Sequence, residues 1–111
     1  MATFYFTYGT DPEYPYRGGW TEVDTDDMNR AVIAFRKFHP NREGSGLTNC
    51  AFMYSEESWA STKMAKNFEN FGHSCREHIM VTEEQVPVYT GETLTAVIES
   101  VNYSRVIIDD T

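Results

Sequence analysis

The chain has 111 residues, with seventeen Asp and Glu against nine Lys and Arg and a formal net charge of −8 at pH 7. That length suits a single domain over residues 1–111, and 41% apolar with 14% aromatic residues excludes a wholly disordered chain. The charge argues against direct binding to a nucleic-acid backbone, which draws on Lys and Arg; it either favours encounter with a basic surface or serves solubility alone.

"TFYFTYG", bounded by Gly9, is rich in Thr, Phe and Tyr and predicts a strand. "TDPEYPYRGG" carries Pro12, Pro15 and Gly18-Gly19 and predicts a loop, and "WTEV" alternates Trp20 and Val23 as a second strand. Together they form a hairpin with a long aromatic tip. Asp24 is the expected helix cap, with Asp26 and Asp27 in the first turn, where the helix dipole favours negative charge. Met28, Ala31, Val32, Phe35 and Phe38 make one apolar stripe at helical spacing, and His39-Pro40 ends it.

"NREGSG" is an exposed connection, and "LTNCAFMY" predicts a third strand with Cys50, Phe52 and Tyr54 on one face. Ser55 caps a short helix in which Trp59 is the core contact. "AKNFENFG" is polar and irregular, and "CREHIMV" predicts a fourth strand. Pro87 and Gly91 are expected to interrupt any long element after it. Leu94, Val97, Ile98 and Val101 lie on one stripe of a C-terminal helix, and "RVIIDDT" closes as a short strand. The expected fold class is α+β, a mostly antiparallel sheet of about five strands with two to three helices packed on it.

"FGHSCREHIM" gathers His73, Cys75 and His78, with Cys50 and His39 upstream. Its spacing is not that of a zinc knuckle, and in a strand His73 and Cys75 face away from His78. No metal or cofactor is expected, and the two thiols are expected reduced. No G-x-S-x-G, P-loop or G-x-G-x-x-G is present, so the chain is expected to be no enzyme. No apolar run approaches the ~20 residues that cross a bilayer. "MATFYFTYGT" lacks the features of a signal peptide, so a cytoplasmic location is expected.

Tyr14, Tyr16 and Trp20, with Arg17 beside them, are the residue types of interface anchors; they can equally stack on a nucleotide or fold back on the sheet. Acidic residues recur at Asp11/Glu13, Asp24/Asp26/Asp27, Glu56/Glu57, Glu83/Glu84 and Asp109/Asp110. Gathered on one rim of the sheet, they could occupy a Lys- and Arg-lined groove built for a nucleic-acid duplex.

"FYFTYGTDPEYPYRGGWTEV", "AVIAFRKFHPNREG", "NCAFMYSEE" and "NFGHSCREHI" resemble small acidic phage and mobile-element proteins of gut bacteria, a resemblance covering residues 4–80. Such proteins include anti-CRISPR proteins. The resemblance implies a non-enzymatic inhibitor that binds a CRISPR effector nuclease of the Cas9 type, or another basic nucleic-acid-handling protein, in the host cytoplasm. Asp11, Glu13, Tyr14, Tyr16, Trp20, Asp24, Asp26, Asp27, Glu56, Glu57, Glu83 and Glu84 would then be the partner-binding residues, acting in part as a DNA mimic. The alternative is a small-ligand or signalling-nucleotide binding protein, against which the net negative charge would act for an anionic ligand.

Overall fold

Alternating side chains at the start of the chain commit two faces of a strand to two different helices. In the computed structural model, which describes residues 2–41, 49–62, 65 and 74–108, β1 (Ala2–Thr7) pairs antiparallel with β2 (Trp20–Thr25), Ala2 opposite Thr25 and Thr7 opposite Trp20. Helix α1 (Met28–Phe38), strand β3 (Phe52–Tyr54), helix α2 (Glu56–Ala60), strand β4 (Cys75–Thr90) and strand β5 (Thr93–Ile107) follow. The sheet order is β3-β1-β2-β4-β5, antiparallel throughout except for the parallel β2–β4 pair. Among the described residues the fold is α+β, with two helices packed on a mostly antiparallel five-stranded sheet.

Phe4 and Phe6 stand beside Val23 and Thr21 on one face, and the β2–β4 register continues that face through Glu77 and Ile79. The apolar stripe of α1 covers it, burying Ala31, Ala34 and Phe35, with Phe35 stacked on Phe6 at 4.4 Å between ring centroids. On the opposite face Trp59 of α2 stacks on Tyr5 at 4.3 Å and leans on Trp20 at 4.8 Å. Helix α2 is only five residues long, too short to persist alone. Its indole supplies the anchorage, and the Ser55 side chain caps its start by accepting from the Ser58 N–H.

Three local expectations are corrected. Asp27, not Asp24, caps α1, its carboxylate accepting from the Arg30 N–H at 2.8 Å, because Asp24 and Thr25 complete β2. The stretch predicted as a C-terminal helix is β5, antiparallel to β4 from Glu77 opposite Ile107 to Thr90 opposite Thr93. Leu94, Val97, Ile98 and Val101 match helical spacing, but the segment is rich in Val, Ile and Thr, which fit a pleated ladder better. Pro87 does not interrupt β4. The β2–β4 pairing ends at Asp24 opposite Met80, so beyond that point β4 has one unpaired side, where a missing N–H is tolerated. Gly91 does break the chain, at the ribbon turn with φ +63°.

Strand three is shorter than expected, beginning only at Phe52, because Asn49, Cys50 and Ala51 are not part of the ladder; residues 42–48, with most of the "NREGSG" connection, His73, Asp109 and Asp110 lie outside the described residues. From Thr82 to Glu99 every residue but Val88 is exposed, in a two-stranded ribbon extending past the helices. The molecule measures 60 × 32 × 27 Å, and its radius of gyration is 17.0 Å, against about 13 Å for a compact domain of this length.

Candidate interaction site

The ribbon is assembled from two β-rich runs joined by the Gly91 turn. On the face shared with α1, Glu83 lies opposite Val101, Gln85 opposite Glu99 and Pro87 opposite Val97; on the other, Val86 lies opposite Ile98 and Val88 opposite Ala96. Beyond an irregularity at Val88/Tyr89, Tyr89 pairs with Leu94 next to the turn. Tyr89, Leu94, Val97 and Ile98 each expose more than half of their surface, 58%, 53%, 53% and 56%. The distal ribbon is therefore apolar on both faces at once. Two strands without a covering layer are marginal in water, so this segment gains from being enclosed, about 1 kcal/mol for each half-exposed side chain covered.

Electrostatics sets the ribbon apart as well. Residues 82–104 include Glu83, Glu84, Glu92 and Glu99 and no Lys, Arg or His. Glu83 is bound by Arg30 of α1, whose guanidinium also lies 3.7 Å from Asp26 and 3.5 Å from Asp27. At the ribbon root, Arg30, Ile33, Val81, Glu83, Glu99, Val101 and Tyr103 line a groove of about 200 Å³. A second hollow, of about 310 Å³, adjoins it at Val81 and Glu83 and is closed by Thr25, Asp26 and Thr82. The site is an apolar blade with an acidic collar and a grooved root.

Two further polar clusters lie in the body. Glu77 is fully buried, with Thr21 Oγ1 at 3.0 Å, His39 Nε2 at 2.6 Å and Arg105 Nη1 at 3.4 Å. Tyr8 bonds to Thr21 on its far side, and burial pushes the Tyr8 hydroxyl above its ordinary range. These groups satisfy one another, as a buried carboxylate requires. On the opposite sheet face His78 Nε2 lies 2.6 Å from Asp24, which also accepts from Thr3 at 2.8 Å, and His78 Nδ1 lies 3.7 Å from Glu22.

A register shift between Trp20 and Thr21 brings Cys75 to that same Glu22, correcting the expectation that Cys75 and His78 face apart. The His–carboxylate pair resembles the base and orienting group of a triad, but the thiol beside it is not activated. Burial, and then Glu22, push Cys75 up to about 12, and burial pushes Cys50 up to about 11. Both cysteines are free. Among the described residues no group of three or more His, Cys, Asp and Glu is placed to hold a metal ion, and no helix is long and apolar enough to cross a membrane.

The residues expected to bind a partner are placed as follows. Tyr14 and Tyr16 are half-buried against the core, Tyr16 edge-on to Tyr8 and His39, and Trp20 is buried against Trp59. Asp11 and Glu13 lie in the loop joining β1 to β2, where Asp11 accepts from the Glu13 N–H. Asp26 and Asp27 lie at the other end of β2, six residues of extended chain away, or about 20 Å. Glu56 and Glu57 open α2 on one side of the sheet, the side that Asp24 also faces, and Glu83 points to the other with α1. Glu84 follows on the ribbon. The structure joins Asp26, Asp27 and Glu83 through Arg30 and leaves the remaining pairs apart.

The chain matches no known protein family, no curated protein and no solved structure. The description as a phage protein, an anti-CRISPR, a Cas9 inhibitor and a DNA mimic is corrected accordingly. No relative carries those labels to this chain, and its described carboxylates are divided between both sheet faces and both sheet ends rather than forming a phosphate-like row. The sequence reading missed the apolar residues of the ribbon, Val86, Tyr89, Leu94, Val97, Ile98 and Val101. The signal available was a pair of β-rich runs flanking "TGET".

Proposed function

We propose that this chain acts by binding another protein, and that the β4–β5 ribbon is the element that binds. The partner presents a slot with apolar walls and a Lys- and Arg-bearing rim. Basic proteins that handle nucleic acids carry such rims and are the partner class this reading favours. The single observation that carries it is the ribbon itself, apolar on both faces, acidic, and free of Lys, Arg and His over residues 82–104. Apolar patches of this kind mark interaction sites. A slot, rather than a flat surface, is required because both faces need cover. The glutamates supply steering and orientation more than affinity. The unactivated thiols support a binding role over thiol chemistry.

Site-specific photo-crosslinking tests this reading. A benzoylphenylalanine placed at Tyr89 is expected to form a covalent adduct with a partner in cells, whereas the same group at Glu56 on α2 is not. Adduct yield is expected to fall with added salt, because exposed charge pairs are screened. The double change Val86→Asp with Leu94→Asp, both outside residues 96–108, is expected to abolish the adduct while altering unfolding free energy by only about 0.5 kcal/mol, as exposed substitutions do. Equal labelling from positions 89 and 56, or an adduct indifferent to the double change, contradicts it.

A further inference from the structure

Strand β5 is the outermost strand of the sheet along its whole length, Thr93–Ile107. Exposed edges are ordinarily blunted by Lys, Pro, inward charge or a covering element. Residues 93–108 contain no Lys and no Pro, and α1 packs chiefly over β2 and β4, reaching β5 on its face through Lys37 over the Tyr103 ring and Phe38 beside Arg105. The one inward charge on the strand, Arg105, is paired with Glu77 and lies over Phe38, so it is neutralised within the chain rather than left to repel a neighbouring strand.

The sequence of this edge is self-complementary. Folded back on itself about Asn102, "AVIESVNYSRVII" (residues 96–108) sets Ala96 against Ile108, Val97 against Ile107 and Ile98 against Val106. It then sets Glu99 against Arg105, Ser100 against Ser104 and Val101 against Tyr103. Each pair is of one chemical kind or of opposite charge. Because the two members of each pair are an even number of residues apart, they lie on one face of the strand. Moving the centre by half a residue sets Glu99 against Ser104 and Ile98 against Arg105. Moving it by a full residue sets Glu99 against Tyr103 or Ile107.

We propose that β5 pairs antiparallel with β5 of a second copy of this chain, about a two-fold axis at Asn102, to give a continuous ten-stranded sheet. Such an interface is isologous, so each favourable pair occurs twice. Cross-strand pairs of these kinds are the unit of sheet stabilisation. The pairing sets two Glu99–Arg105 contacts against the mutual repulsion of two acidic chains. Arg105 has donors to spare, since Glu77 occupies one of its nitrogens and a guanidinium has five N–H groups. The ribbon tips, residues 86–94, stay outside the paired stretch, whereas Val97 and Ile98 belong to both surfaces, so the two readings are tested separately at the tip and at Asn102.

Cysteine placement reads the register directly. Asn102→Cys puts two thiols directly opposite each other across the axis. Ser104→Cys, equally exposed and on the same face, keeps them four residues apart along the strand, about 13 Å. Mild oxidation of Asn102→Cys is expected to give a species of twice 12.8 kDa on non-reducing gels, and Ser104→Cys only the 12.8 kDa chain. The unaltered protein, oxidised in parallel, reports any contribution of Cys50 and Cys75. Glu99→Arg, which sets Arg against Arg twice, is expected to weaken association in sedimentation equilibrium by roughly a hundredfold. Its circular dichroism should stay that of the folded chain. Any other cysteine pattern overturns the proposal, as does an unaltered chain that sediments at 12.8 kDa throughout a concentration series.

Discussion

Phe35→Ala is expected to lower the unfolding free energy by about 3–5 kcal/mol, the cost of removing a buried phenylalanine and leaving a cavity. Phe35 is fully buried, stacks on Phe6, and stands within 6.2 Å of the Tyr8 ring and 5.1 Å of the His39 ring between centroids. It is the largest side chain that α1 commits to the sheet. The neighbours cannot close the gap, because Phe6 is fixed by the β1–β2 ladder, Tyr8 by its bonds to Gly19 and Thr21, and Ala31 and Ala34 are too small. For a domain whose total stability is about 5–15 kcal/mol, the loss is a large share. Urea unfolding followed by circular dichroism measures it. A loss below about 1.5 kcal/mol, the range of a volume-conserving swap, would mean that α1 is not held by this ring.

Glu77→Ala is the second large effect, with an expected cost of about 3–5 kcal/mol, as for a buried pair broken from one side. The change removes the acceptor shared by Thr21, His39 and Arg105. Arg105, 34% exposed, can turn to water; Thr21 is fully buried and His39 is 11% exposed, so neither can do so fully. Glu77→Gln keeps the shape and one acceptor and is expected to lose only about 1–2 kcal/mol, the range for weakened buried hydrogen bonds. Thermal unfolding of the two variants side by side separates the contributions of charge and shape. Equal losses would show that the charge carries the whole effect and that the retained shape and acceptor contribute nothing.

The body of the fold was legible because its signals are local. The stripe Met28, Ala31, Val32, Phe35 and Phe38 recurs at helical spacing and became α1. Ser55 before Glu56 marked the start of α2, and Trp59 its buried contact. The ribbon was not legible, for two physical reasons. Leu94, Val97, Ile98 and Val101 satisfy a helical stripe as well as a strand, and only the partner strand across Gly91 decides between them. Pro87 looks like a terminator unless it is known that the pairing with β2 stops at Met80 and leaves that side of β4 unpaired.

The site suffered from the same gap. Carboxylate clusters separated by 11 to 29 residues say nothing in sequence about which face of a sheet they reach. Asp24 turned out to serve His78 and Thr3, Asp27 the start of α1, and Glu83 the arginine one turn inside it. The loop aromatics have the same history. Tyr16 and Trp20 carry the composition of an interface, but each finds an aromatic neighbour within its own chain, Tyr8 and Trp59. Side chains left with nothing to cover them are on the ribbon instead, in a segment whose exposure follows from topology rather than from composition.

Small-angle X-ray scattering from the Glu99→Arg chain, where a single copy is expected, tests most directly whether the ribbon stands clear of the body with its apolar faces open. A radius of gyration near 17 Å is the expected result. A value of about 13 Å, that of a compact domain of this length, would place the ribbon against the body and leave the proposed binding element already covered.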